Sequence, residues 1–250
     1  MSSNTVATFT DRLAKPARQS VPDDGDWILT TARAHPCFSH PLFARLADTK
    51  NNPLTVAKVA RLLKNYDAHA SHLRRLLLKA AAIMPERAVA FILENVRNEY
   101  GNGHENRRHQ LQLQDLAWQC GVSPNDYKAI KVEAGIKQFI KAVTPFYYPL
   151  EGKLISNCLS KQAVSAGAIT ATEILAIEEF KALQKAFAGF GQEHHIWFDH
   201  VTVECEHTDE SISLALYFSQ QGHKQSVATG LKGVLDANCH LYDGLLSSIS

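Results

Sequence analysis

A chain of 250 residues, 45% of them hydrophobic, can bury a sizeable core in one large domain, and a single compact soluble unit is expected. A formal net charge of +1 sets up no field that would draw in nucleic acid or an acidic membrane surface, so neither is expected as a partner. The five cysteines, Cys37, Cys120, Cys158, Cys205 and Cys239, are odd in number and form no CxxC pair, which argues for a reducing, cytoplasmic setting and against a thiolate metal site.

From Met1 to about Asp24 the chain is rich in Ser, Thr, Ala and Pro and has no continuous apolar core of the kind a secretory signal carries, so residues 1–24 read as a flexible lead-in to one domain over 25–250. No apolar run approaches the roughly 20 residues that a membrane-spanning helix requires. Beyond Asp26 apolar residues recur at helical spacing and no stretch alternates with the period of a half-buried strand, which makes the fold class all-α, with about seven to nine helices in the bundle. The spacing predicts helices near 26–34, 55–83, 86–100, 105–120, 124–148, 151–165, 168–188, 191–219 and 223–247. Turn chemistry separates them at Asn51-Asn52-Pro53, Pro85, Gly101-Asn102-Gly103, Ser123-Pro124, Gly189 to Gly191 and Gln221-Gly222.

Four of these segments carry ligand-type residues inside an apolar stripe. In the 86–100 segment Glu99 follows Val89, Ile92 and Val96 on one face. In the next helix His109 shares a face with Leu113, Leu116 and Cys120, opposite Arg108, Gln112, Asp115 and Gln119. In 168–188 the face reads Ile169, Glu173, Ala176, Phe180 and Phe187, while Glu178 and Glu179 fall with Lys181 and Lys185 towards the outside. In 191–219, His200, Glu204 and His207 stack at i, i+4, i+7 on the face of Ile196, Trp197, Val203 and Leu214.

Singly, each such residue reads first as a satisfied core group. Together they are three carboxylates and three imidazoles on buried faces, with no matching set of buried cations, and buried ionisable groups need a compensating partner. A divalent cation is that partner. Mixed N and O ligands suit iron or manganese, and six side chains are too many for one ion with open positions, so two ions fit better.

The order Asn98-Glu99-Tyr100-Gly101-Asn102-Gly103, then His109, an inward Glu173, and His-x3-Glu-x2-His at His200, Glu204 and His207 resembles the heme-oxygenase-like diiron oxidases. These are relatives of thiaminase II and pyrroloquinoline quinone synthase C. The His35-Pro36 and His40-Pro41 segment, Leu62-Leu63-Lys64-Asn65-Tyr66 and the closing Val234-Leu235-Asp236 helix share the likeness. The resemblance implies a heme-oxygenase-like helical bundle, compatible with a homodimer. It implies two Fe(II) ions, with manganese accepting the same ligands, held by Glu99, His109, Glu173, His200, Glu204 and His207. Glu178 is the fallback for Glu173, and Glu204 stands where many members have Asp. Oxygen would be cosubstrate in the oxidation of a small organic molecule, of the amino- or carboxylic-acid type, in specialised metabolism.

Tyr66 and Trp197 are the aromatics expected nearest the metals and the substrate, and Arg74, Arg97 or Lys153 could serve a substrate carboxylate. Two rival readings stay open. One is a metal-free transferase, hydrolase or cofactor-biosynthesis enzyme of the thiaminase II or quinone synthase kind, with Cys158 or Cys205 as nucleophile. The other is a metal-binding helical protein without turnover. A heme protein would instead need one proximal imidazole, from His35, His40, His69 or His72.

Overall fold

The computed structural model describes residues 26–149 and 159–250, and of residues 200–207 the backbone alone. The expected lead-in over 1–24 and most of the helix expected over 151–165 lie outside those residues. The described chain is all-α: α1 (Asp26–Arg33), α2 (Pro41–Ala47), α3 (Val56–Ile83), α4 (Glu86–Glu99), α5 (His109–Gln119), α6 (Pro124–Ala129), α7 (Ala134–Tyr147), α8 (Lys161–Phe187), α9 (His200–Phe218) and α10 (Lys224–Ile249). Short 3-10 turns at Pro36–Ser39, Glu105–Arg107, Ala188–Phe190 and Ile196–Asp199 connect some of them. None of the described helices is long and apolar enough to cross a membrane.

Local chemistry accounts for most starts and stops. Thr55, Ser123 and Ser160 cap α3, α6 and α8 by accepting the amides of Lys58, Asp126 and Ala163. Each His-Pro pair does the same with an imidazole: His35 Nδ1 accepts the Cys37 amide and His40 Nδ1 the Leu42 amide, with proline at the first helical position. The other ring nitrogens reach α10, His35 Nε2 to Asp236 at 3.1 Å and His40 Nε2 to Asp243 at 3.2 Å, so the N-terminal hairpin is strapped along the closing helix.

The centre of the bundle is α8, buried over most of its circumference. It runs antiparallel to α9, pinned by Thr170 Oγ1 to the Ser211 carbonyl and by Thr208 Oγ1 to the Glu173 carbonyl. It runs parallel to α10, whose backbone it meets where Gly167 faces Val227 and Gly230 faces Val164. A Cβ at either glycine would overlap the facing carbonyl oxygen. Alanine normally gains about 0.5–1 kcal/mol over glycine inside a helix. At Gly230 that gain should be overwhelmed: Gly230→Ala is expected to destabilise the fold by about 1–3 kcal/mol, measured by urea unfolding, because neither backbone can move aside.

This close approach also explains one departure from the expected elements. No break separates 165 from 168; Gly167 is a packing contact inside one long helix. Conversely the expected 124–148 helix is two, α6 and α7, because buried Asn65 of α3 accepts the Glu133 amide through Oδ1 and so starts α7 from outside. Helix α2 was not expected at all, and residues 191–195 are not helical, so α9 begins at His200.

Candidate metal and substrate cavity

The turn between α4 and α5 builds the first part of the site. Gly101, Asn102 and Gly103 all have positive φ, and at Gly101 a side chain would strike the His104 and Arg107 backbone. This reversal folds the last residue of α4 onto the first of α5, leaving His109 Nδ1 3.0 Å from Glu99 Oε1. Ten residues apart in sequence, the two face the same cavity of about 90 Å3, which α8 also lines through Glu173. Glu173 Oε1 accepts Asn95 Nδ2 of α4 at 2.6 Å.

Three of the six expected ligands therefore sit where their helix faces placed them, around one space. His200, Glu204 and His207 have side chains outside the described residues; their backbone is the first two turns of α9. The cavity residue Trp197 precedes that stretch, and Thr208, which follows it, donates through Oγ1 to the backbone carbonyl of the cavity residue Glu173. Among the described residues no three His, Cys, Asp or Glu donors converge closely enough to hold an ion. Glu178, the fallback for Glu173, points away and pairs with Lys181 at 3.2 Å on the surface.

Tyr66 and Trp197 both line the cavity, their rings edge to face at 5.2 Å. Trp197 is set by His195, whose Nδ1 accepts the Trp197 amide and whose Nε2 reaches Asp115 at 3.1 Å. Ile196, expected on the inner face, is 48% exposed, because a 3-10 turn rather than an α-helix carries it.

Two charged residues correct the sequence reading. Glu179, expected outside with Glu178, is buried and lines the cavity, accepting Tyr242 OH on Oε1 at 2.6 Å and Tyr66 OH on Oε2 at 3.3 Å. The exposed stripe of α8 is narrow, running through Glu178, Lys181 and Lys185, and Glu179, one residue further round the helix, falls on the buried side of it. Burial pushes the Glu179 carboxyl above its ordinary range against the pull of both phenols. A buried cation also exists: Arg74 lies in the cavity wall, 3.7 Å from Glu99 Oε2. Its nearer hydrogen bond is to Ser71 Oγ at 2.8 Å, and Ser71 in turn donates to buried Asp67. Asp67 thus reaches the guanidinium only through the Ser71 hydroxyl. Of the other cations weighed for a substrate carboxylate, Arg97 is exposed and Lys153 lies outside the described residues.

The rival chemistries find less support. His35 and His40 each use both ring nitrogens structurally, and His72 Nε2 bonds Thr144, which leaves His69 as the one heme-ligand candidate inside the cavity. The described cysteines are outside the cavity wall, and burial raises the thiols of Cys37 and Cys120 to about 12, far from a nucleophile. Cys158 and Cys205 lie outside the described residues and side chains.

The fold is heme-oxygenase-like. A structure from Shewanella denitrificans OS217, described as a domain of unknown function with that fold, is similar with a TM-score of 0.66 at 12% identity, over 92% of this chain and 94% of that one. A CADD-like protein of unknown function from Nostoc punctiforme PCC 73102 gives a TM-score of 0.70 at 16% identity, over 91% of this chain and 99% of that one. The sequence matches the family described as "Iron-containing redox enzyme" over residues 60–238, and the chain belongs to that family. No curated protein matches the sequence.

Proposed function

We propose that the chain is a nonheme iron oxidase or oxygenase that uses two ferrous ions and oxygen to oxidise a small organic molecule of the amino- or carboxylic-acid type. One observation carries it: the Gly101-Asn102-Gly103 reversal joins Glu99 and His109 beside Glu173 in a single cavity, next to the two helical turns that hold His200, Glu204 and His207. The donor set fits iron, being carboxylate and imidazole with no described thiolate. Glu99, His109 and Glu173, together with His200, Glu204 and His207, would hold the iron, and the iron when bound would supply electrons to oxygen.

The chain's own residues do the rest. Apolar Leu73, Leu77, Phe180 and Trp197 exclude water from the walls. Arg74 offers a guanidinium for a substrate carboxylate, anchored through Ser71 so that it need not reorganise. Asn95 steadies Glu173 and Thr208 fixes α9 against it.

Anaerobic titration with Fe(II) tests the reading. Saturation at about two irons per chain is expected, with oxygen then producing a transient visible absorption when substrate is present. His207→Ala should abolish turnover with little loss of helix content. A chain that takes up no iron stoichiometrically would refute the proposal.

A further inference from the structure

One buried carboxylate in the cavity has no place in the six-ligand set. Glu179 stands between two phenols, one on each side: Tyr66, in the cavity wall against Trp197, and Tyr242, fully buried on α10. From Tyr242 the contacts continue outward, its ring 5.5 Å from that of His40 and 5.0 Å from that of Phe43. His40 bonds Asp243, which is two-thirds exposed. A line of ring contacts thus runs from the cavity to the surface of α10, with two oxidisable tyrosines, Tyr66 and Tyr242, and one proton acceptor between them.

We infer that Tyr66, Glu179 and Tyr242 form a relay for single electrons, coupled to a proton held by Glu179, between the cavity and the surface at His40 and Asp243. The inference rests on the iron reading of the cavity. The hydrogen bonds decide what moves. Protons travel only along continuous hydrogen bonds, and among the described residues the Tyr242 hydroxyl has Glu179 as its one partner, so the proton path stops there. Electrons cross van der Waals gaps, so the ring contacts to His40 and Phe43 extend their path outward.

The steps balance. An electron leaves Tyr66 for a strong one-electron oxidant in the cavity, which on the reading above would be iron oxidised beyond the ferric state, and the phenolic proton passes to Glu179 Oε2. Tyr242 then gives an electron to the Tyr66 phenoxyl radical and its own proton to Glu179 Oε1, while Glu179 returns the first proton to Tyr66. Finally an external one-electron reductant reduces the Tyr242 radical, and Glu179 hands the remaining proton back. Glu179 ends as it began, and one electron has entered the cavity.

The wiring is tested without metal. In metal-free protein carrying 3-aminotyrosine in place of Tyr66, a diffusing ruthenium polypyridyl photo-oxidant cannot touch position 66 directly, since Tyr66 is 6% exposed. The aminotyrosyl radical seen by freeze-quench electron paramagnetic resonance is expected to fall about tenfold or more when Tyr242→Phe or Glu179→Gln is added. Equal yields in all three proteins would overturn the relay. Tyr242→Phe removes one hydroxyl and keeps the ring, so it carries the test should Glu179→Gln fail to fold. A chain that binds no iron refutes the proposed function, and the metal-free experiment still decides the wiring.

Discussion

Glu99→Ala is expected to lower Fe(II) affinity by more than about a hundredfold while leaving the bundle folded. The carboxylate ends α4, where the partial negative charge of the helix terminus disfavours an acid, so this position gains nothing for the helix itself. His109 at 3.0 Å and Arg74 at 3.7 Å offset that placement. Removing Glu99 leaves Arg74 hydrogen-bonded to Ser71, whose hydroxyl in turn donates to Asp67. Since the Glu99 side chain is 25% exposed, the stability loss should stay near ~1 kcal/mol. Competition of the apo protein with a ferrous chelator measures the affinity, and urea unfolding measures the rest. Undiminished iron binding by a folded Glu99→Ala protein would remove this residue from the ligand set. A collapse of stability with it would make Glu99 a structural partner of Arg74.

The local signals in the chain were those a single helix carries. Helical spacing placed Glu99, His109, Glu173, Tyr66 and Trp197 on inward faces, and all five line one cavity. The glycines at 101 and 103 announced a reversal, and the reversal is what joins Glu99 to His109. What escaped has its cause in another helix. The start of α7 is written in Asn65, nearly seventy residues earlier, where nothing local marks it as a cap. That 165 and 168 belong to one helix depends on α10, which meets Gly167 at Val227 and brings Gly230 against Val164. Glu179 looked like a surface acid because the next residues include Lys181 and Lys185, yet α8 has neighbours nearly all round, and Tyr66 and Tyr242 receive that carboxylate from two different helices. Arg74 is hidden by the same limit: its burial depends on Ser71, Asp67 and Glu99 meeting, and only the first two share its helix.

The stability of the metal-free protein is expected to fall steeply below neutral pH, with His69 as a principal cause. The imidazole is buried between the Tyr66 ring at 4.4 Å and the Phe139 ring at 5.7 Å, and among the described residues its Nδ1 has no hydrogen-bond partner. Desolvation lowers its pKa from 6.5 to about 3, with Arg74 adding to the effect and the Asn65 backbone and Glu99 opposing it. Between those two values the unfolded chain binds a proton that the folded chain refuses, so stability must drop as pH falls through this window and is fully present above 6.5. The whole gap amounts to roughly 4–5 kcal/mol, a large share of the 5–15 kcal/mol that holds a typical domain folded. His69→Leu removes the titration and keeps an apolar side chain in the same space. Urea unfolding of both proteins from pH 7 to pH 4 should show the wild type losing about 3 kcal/mol more than the variant. Parallel profiles would mean that the folded protein accepts a proton at His69 as readily as the open chain does, and that water or a rearranged carboxylate reaches the ring.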